Sequence, residues 1–184
     1  MFVVSGPSGV GKGTVIQALL KRDSGLVLAV SASTRKPRPG EVDGQHYYFK
    51  SAEEFKRLVN EDEFLEWAEV HGNCYGTLRS DVVAKQQKGV VLIEIDVQGA
   101  ESIRKTTLNQ RSIFIMPPKL EALKERLQGR HTETPEDLQR RLERAKQEMA
   151  EAPKYDSVVL NHQLGAAVEE ILKFINNNTK RSSA

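Results

Sequence analysis

A glycine-rich loop near the start of the chain constrains the fold more than any other feature of the sequence. Residues 1–4 favour a β-strand, GPSGVGKGT follows at 6–14, and helix-forming residues continue to 22. A strand, a glycine-rich turn and a helix in this order are typical of a phosphate-binding loop, because backbone N–H groups and the helix N-terminus surround the phosphates. Lys12 adds a full positive charge for the outer phosphates. The loop therefore predicts a nucleoside triphosphate site, rather than a turn of no chemical importance.

One position of this loop departs from the usual pattern G-x-x-x-x-G-K-[ST]. Gly13 stands where a hydroxyl side chain is usual, and Thr14 follows one place later. The pattern therefore predicts that a magnesium ion is held through water and phosphate more than by this side chain.

Composition narrows the class of protein. A chain of 184 residues with 39% hydrophobic and 28% charged residues is typical of one soluble domain. No apolar run approaches the ~20 residues of a membrane span, and no signal peptide precedes the first strand. The single Cys74 cannot form an internal disulfide, and a net charge of +2 does not indicate a nucleic-acid partner. We therefore expect a cytoplasmic protein that binds neither membrane nor nucleic acid.

Alternation of apolar strands with helices predicts a parallel α/β core. Apolar runs predict strands at 26–31, 90–96, 112–116 and 157–160, with helices at 81–88, 98–105, 120–127, 136–152 and 163–176. Residues 33–82 interrupt this order as a small mixed insertion. Within it we expect strands at 45–49 and 63–70, a helix capped by Ser51 that runs to about residue 60, and a turn at 71–77.

Three groups of residues outside the loop are candidates for phosphate chemistry. Arg35, Lys36 and Arg38 form either a phosphate clamp or a solvated basic loop. Asp96 ends a predicted strand, where it either supports a metal ion or caps the next helix. Surface arginines on helices are usually only solvated, but three of them flank a short break and suggest a mobile cover over the phosphates: Arg126, Arg130 and Arg141.

Five segments together resemble the guanylate kinase family, whose members transfer a phosphoryl group from ATP to GMP. They read GPSGVGKGT, SASTRKPRPGEVDGQHYYF, FLEWAEVHGNCYGT, EIDVQG and RLQGRHTET, and the similarity extends from residue 2 to about 175. The resemblance implies an α/β fold with a P-loop parallel-sheet core flanked by helices, a small mixed α/β GMP-binding insertion and a helical lid. It places the core at 1–32, 83–125 and 145–184, the GMP-binding insertion at 33–82 and the lid at 126–144.

The resemblance also assigns roles to individual residues. It implies that ATP lies on the loop and near Asn161, which matches the family's contact to adenine. The loop residues are Gly6, Pro7, Ser8, Gly9, Val10, Gly11, Lys12, Gly13 and Thr14. Ser31, Glu66 and Thr77 match the residues that read guanine. The GMP phosphate is assigned to Arg35, Arg38, Tyr47 and Tyr75.

The remaining matches concern charge around the transferring phosphates. Asp96 matches an acid near the metal ion and the nucleotide, and Glu94 supports it from the same strand. The lid arginines that converge on ATP match Arg126, Arg130 and Arg141. The implied cofactors are ATP and Mg²⁺, and the implied acceptor is GMP, with dGMP left open beside it.

The chemistry of guanine agrees with this assignment. Guanine presents N1–H and a 2-amino group side by side, and an ionised Glu66 only accepts hydrogen bonds. Two alternatives are a family-like module that binds phosphopeptides without catalysis, and a kinase of this fold that acts on another phosphorylated small molecule such as a ribose bisphosphate. Lys12 and Asp96 argue against the first, and Glu66 with Ser31 and Thr77 argues against the second.

Overall fold

The computed structural model describes residues 1–70, 72–106, 108–128 and 135–179, without the side chains of 125–128, 135 and 137. Helices and strands alternate along much of this chain. In chain order they are β1 (Phe2–Ser5), α1 (Lys12–Arg22), β2 (Leu26–Leu28), β3 (Ser31–Ser33), β4 (Tyr48–Phe49), α2 (Ala52–Asn60), β5 (Phe64–Val70), β6 (Asn73–Leu78), α3 (Arg79–Gln86), β7 (Val90–Glu94), α4 (Val97–Arg104), β8 (Arg111–Met116), α5 (Leu120–Gln128), α6 (Pro135–Ala150), β9 (Ser157–Leu160) and α7 (Leu164–Asn178).

The described chain forms two compact units. The first unit comprises Gly25–Asn109 with Met1, and the second comprises Phe2–Ser24 and the chain from Gln110 onward. In the second unit β1 pairs in parallel with β8, and β8 pairs in parallel with β9. β1 and the middle of β8 are buried, as parallel strands covered by helices require, whereas β9 buries Val159 but exposes Val158 and Leu160. On α7 the side chains of Ala167, Val168, Ile171 and Ile175 are buried.

The first unit contains a parallel pair and a smaller mixed sheet. β2 pairs in parallel with β7, whereas the mixed sheet has the strand order β4-β3-β6-β5. In that sheet β6 is antiparallel to both β3 and β5, and β4 is parallel to β3. Phe55 of α2 stacks on Phe64 of β5 with ring centroids 4.5 Å apart, so the helix covers one face of the sheet. Parallel pairing in both units agrees with the predicted α/β class.

Two predictions about strands are wrong. The turn predicted at 71–77 is wrong for 73–77, because Asn73–Leu78 forms the strand β6; Gly72, with φ of 73°, lies in a turn, and residue 71 lies outside the described residues. This strand contains glycine and polar residues, so its sequence has no apolar pattern that would predict a strand. It forms because it pairs with β3 and β5. Residues 26–31 are not one strand, because β2 and β3 belong to different sheets. The buried Val30 N–H leaves the ladder and donates to Asp81 Oδ2 over 2.9 Å.

None of the helices in the described ranges has the length and apolar character needed to cross a membrane.

The predicted division into core, insertion and lid remains a prediction. Part of the predicted lid, residues 129–134 with Arg130, lies outside the described residues.

Candidate active site

The glycine-rich loop connects β1 to α1 in the second unit. Three glycines of the loop have positive φ, with values of 147° at Gly6, 83° at Gly9 and 95° at Gly11. At Gly6 a Cβ atom would lie 2.3 Å from the carbonyl oxygen of Ile115, so a side chain is excluded there. The loop therefore adopts its shape only with glycine at these points, as a backbone cradle for phosphate requires.

Lys12 is the first residue of α1, and its ammonium lies across the loop. Its Nζ donates to the carbonyl oxygen of Gly6 over 2.6 Å and to that of Pro7 over 3.2 Å. Gly13 and Thr14, which follow, are exposed. The charge predicted to meet the outer phosphates is therefore held over the loop by the loop's own carbonyls.

Other elements of the second unit hold the same loop. Asn161, which follows β9, is 7% exposed, and its Nδ2 donates to the Val10 carbonyl over 2.8 Å. Arg141 of α6 donates from Nη2 to Ser8 Oγ over 3.1 Å. The backbone of Arg126 lies in α5, but its side chain lies outside the described part of the structure. Of the residues predicted to meet ATP, Asn161 and Arg141 thus contact the loop itself.

Glu66, Thr77 and Ser31 lie in one row across three strands of the first unit. Thr77 on β6 is opposite Ser31 on β3 and opposite Glu66 on β5. Thr77 Oγ1 donates to Glu66 Oε1 over 2.6 Å, and both side chains are buried. The strand register thus brings together the three residues predicted to read the base.

The Glu66 carboxylate lies against the start of α4. A Cβ atom on Gly99 would lie 2.4 Å from Glu66 Oε2, so only glycine leaves room for the carboxylate. Burial raises the pKa of Glu66 to about 7, with a smaller contribution from the charge of Asp96, whereas the hydrogen bond from Thr77 opposes the rise. A carboxylate that is costly to ionise when buried becomes easier to ionise once donors surround it.

Asp96 is the N-cap of α4. Its Oδ1 accepts from the Gly99 N–H over 2.9 Å, and its Oδ2 accepts from Gln98 Nε2 over 3.1 Å. The capping alternative considered for this residue is therefore correct, and it is compatible with a role beside phosphate. Glu94 ends β7, and its charge adds to burial in raising the pKa of Tyr47. The two acids of this strand end thus lie close to residues predicted to hold GMP.

Arg35, Tyr47 and Tyr75 form an aromatic and cationic cluster in the same unit. The guanidinium carbon of Arg35 lies 4.6 Å from the centre of the Tyr47 ring, and the Tyr47 and Tyr75 ring centroids are 6.1 Å apart. Stacking on a ring face fixes the plane of the arginine. Arg38 differs from these residues because its side chain is exposed, and its backbone N–H makes the contact described next.

Glu41 holds this cluster together and was not identified from the sequence. Its two carboxylate oxygens accept from Nη1 and Nη2 of Arg35, each over 2.6 Å, and Oε2 also accepts from the Arg38 N–H over 2.7 Å. The Arg35 hydrogen bonds lower the pKa of Glu41 to about 2. Glu41 thus fixes the plane of the Arg35 guanidinium through both Nη atoms. An acid six positions after an arginine is the only signal in the sequence.

Replacement of Glu41 by alanine should raise KM for GMP about 5- to 30-fold and change kcat less, because Arg35 then loses two charge-assisted hydrogen bonds that fix its plane. Steady-state kinetics with varied GMP would measure this. The matched control is Glu61→Ala, which removes the exposed pair between Arg57 and Glu61 and should change KM less than about twofold. Equal KM values in the two variants would contradict the role of Glu41.

Asp81 is a second acid that was not identified from the sequence. It is 8% exposed, and besides the Val30 N–H it accepts from the Tyr48 hydroxyl over 2.9 Å. Val30 immediately precedes Ser31, one of the three residues predicted to read the base. Asp81 therefore fixes the start of β3, and through it the position of Ser31.

The glycine-rich loop between a parallel strand and a helix, with a lysine over the loop, is typical of P-loop nucleotide-binding proteins. A family model described as guanylate kinase matches residues 1–178. A guanylate kinase of Synechococcus sp. is 48% identical over 169 residues, which cover 91% of this chain and 92% of that protein. A guanylate kinase of Caldanaerobacter subterraneus is 45% identical over 176 residues, which cover 95% of this chain and 85% of that protein.

Solved structures agree with these sequence matches. The crystal structure of guanylate kinase from Anaplasma phagocytophilum matches with a TM-score of 0.79 and 33% identity, over 99% of this chain and 87% of that chain. A shikimate kinase from Bacteroides thetaiotaomicron matches at 13% identity with a TM-score of 0.53 over 95% of this chain and 96% of that chain, which shows a shared fold alone. The chain belongs to the guanylate kinase family. The predicted family, fold class and kinase activity are thereby confirmed, and the alternatives are not favoured.

Proposed function

We propose that the chain transfers the γ-phosphoryl group of ATP to GMP, giving ADP and GDP. The observation that carries the choice of acceptor is the row of Ser31, Thr77 and Glu66, in which the buried Glu66 carboxylate can accept from the two side-by-side donors of guanine. Family membership supports the donor and the reaction, and the loop with Lys12 supports the site of ATP.

Phosphoryl transfer depends on positioning and charge neutralisation more than on covalent chemistry by the protein. We assign Lys12 to the β- and γ-phosphates of ATP, and Arg141 to the same phosphates from α6. Arg35, oriented by Glu41 and stacked on Tyr47, holds the GMP phosphate, with Arg38 and Tyr75 beside it. These cations offset the repulsion between two anionic nucleotides. We keep Arg126 and Arg130 as further lid arginines on resemblance alone.

Magnesium fits the residues present if phosphates supply most of its ligands. Within the described ranges no group of three or more His, Cys, Asp or Glu side chains could hold a metal ion. Mg²⁺ in such sites is usually bound by one or two carboxylates together with substrate phosphates. We assign this carboxylate to Asp96, supported by Glu94, on the resemblance to the family. When bound, the ion neutralises charge on the β- and γ-phosphates.

One coupled assay of ADP release tests the proposal. It compares GMP, dGMP, AMP, UMP and no acceptor, with Mg²⁺ present. We expect rapid release with GMP and far slower release with AMP or UMP. Release that does not depend on GMP would contradict the assignment, as would a preference for AMP.

We also place the reaction in the cytoplasm, because the single Cys74 suits a reducing compartment.

GMP binding should weaken as the pH falls through about 7. The raised pKa of Glu66 means that the carboxyl is increasingly protonated below about 7, whereas guanine N1–H and the 2-amino group need the ionised form as acceptor. With this pKa the ionised fraction falls about tenfold between about pH 8 and about pH 6, so KM for GMP should rise about tenfold. Glu66→Gln is the control, since titration of the GMP phosphate affects both proteins alike. A parallel rise in KM in that variant would contradict the role of Glu66.

A further inference from the structure

A buried carboxylate joins α6 to the glycine-rich loop. Glu148, near the end of α6, is only 7% exposed. Its Oε2 accepts from the backbone N–H of Ser8 over 3.2 Å, and its Oε1 accepts from Nε of Arg144 over 3.1 Å. A buried charge is costly unless it is paired and hydrogen-bonded. The carboxylate meets this condition by binding one loop amide and one cation of its own helix.

The same helix also binds the side chain of Ser8. Arg141 donates from Nη2 to Ser8 Oγ over 3.1 Å. Residues 141, 144 and 148 are spaced three and four apart, so they lie on one face of α6. Both the backbone N–H and the hydroxyl of Ser8 are therefore bonded to one helix face, and that face carries an arginine predicted to act on ATP.

The chemistry of this contact excludes a direct role for Glu148 in binding phosphate. A carboxylate repels a triphosphate, and a loop amide that donates to a protein carboxylate is not directed at a phosphate. We propose that Glu148 is a positioning residue. It anchors Ser8 of the glycine-rich loop to α6 and thereby holds the loop and Arg141 in the relative position that binds ATP. The kinetic part of this proposal rests on the proposed function, whereas the anchoring of the loop does not.

Replacement of Glu148 by alanine should lower kcat/KM for ATP about 10- to 100-fold, because the loop loses a charge-assisted anchor to α6. KM for GMP at saturating ATP should change less than about twofold. Glu148→Gln should recover part of the loss, since its amide oxygen still accepts from Ser8 N–H, but its amide nitrogen then faces the donor Arg144. The matched control is Glu143→Ala on the same helix, which removes an exposed carboxylate bonded to Lys146 and should change neither constant by more than about twofold.

Hydrogen exchange of the loop in the absence of nucleotide provides a readout that does not depend on activity. Backbone N–H groups of residues 6 and 8–12 should exchange several-fold faster in Glu148→Ala than in Glu143→Ala, while the strands β1 and β8 keep their protection. Unchanged loop exchange would overturn the proposal. An equal loss of kcat/KM for ATP and GMP with faster exchange throughout the chain would overturn it too, because it indicates general destabilisation. If the unsubstituted chain fails to phosphorylate GMP, the proposed function fails, and loop exchange still decides the anchoring.

Discussion

Replacement of Lys12 by methionine should lower kcat by a factor of about 100 to 1000, with KM for GMP nearly unchanged. The Lys12 ammonium is held over the loop by its hydrogen bonds to the Gly6 and Pro7 carbonyls. Its charge matters most as negative charge shifts on the departing γ-phosphate, so the loss falls on the transition state. Single-turnover rates with saturating ATP and GMP would measure it directly.

The matched control for this variant is Lys21→Met, which removes an exposed lysine from the last turn of the same helix. It should leave kcat within about twofold, because a solvated surface charge contributes little to the reaction. Thermal unfolding of both variants shows whether each protein is still folded. Near-normal turnover in a folded Lys12→Met protein would mean that this loop is not the ATP site.

Local patterns in the sequence predicted most of the elements because their causes are local. The capping box at the start of α2 is confirmed: Ser51 Oγ accepts from the Glu54 N–H over 3.1 Å, and the Glu54 carboxylate accepts from the Ser51 N–H over 2.9 Å. Ser51 and Glu54 are three positions apart, so a short sequence pattern is enough to predict both hydrogen bonds. The helices of the parallel core were predicted in the same way, from apolar periodicity.

Contacts between residues distant in the chain could not be predicted in this way. Asp81 bonds to Val30 and Tyr48, and Glu148 bonds to Ser8, which precedes it by 140 residues. In the sequence these acids are ordinary charges on helices, and only tertiary packing distinguishes them. Strand β6 was missed for the same reason, since its pairing with β3 and β5 outweighs its own weak propensity. The candidate site was predicted as a set of residues, but the acids that orient it were not.

Replacement of Glu66 by glutamine should reduce the preference for GMP over AMP by roughly 30-fold to 1000-fold in kcat/KM. An ionised Glu66 offers two acceptor oxygens, whereas glutamine offers one acceptor and one donor. Guanine then places a donor against a donor, and a charged hydrogen bond is lost as well. We expect a loss on the order of 2–4 kcal/mol in transition-state binding, which the rate equation converts to this range.

The surroundings of Glu66 allow the variant to fold. The Thr77 hydroxyl donates to Glu66 Oε1 in the native protein and can accept from an amide instead, since a hydroxyl serves in either role. Glutamine also has the same shape beside Gly99, where nothing larger than glycine leaves room. The matched control is Glu69→Gln, an exposed position on the same strand, and it should leave the ratio unchanged within about twofold.

The substrate series separates the two hydrogen bonds. Inosine monophosphate keeps N1–H but lacks the 2-amino group, so it should be intermediate for the native protein, whereas AMP presents a lone pair at N1 to an anion. In Glu66→Gln the new amide can donate to adenine N1, so AMP should lose less than GMP or improve. The preference for GMP over AMP should shrink without inverting. Adenine has only C2–H where guanine has its 2-amino group, so it forms no hydrogen bond there. Measured at about pH 8, where Glu66 is ionised, an unchanged ratio would show that Glu66 does not read the base.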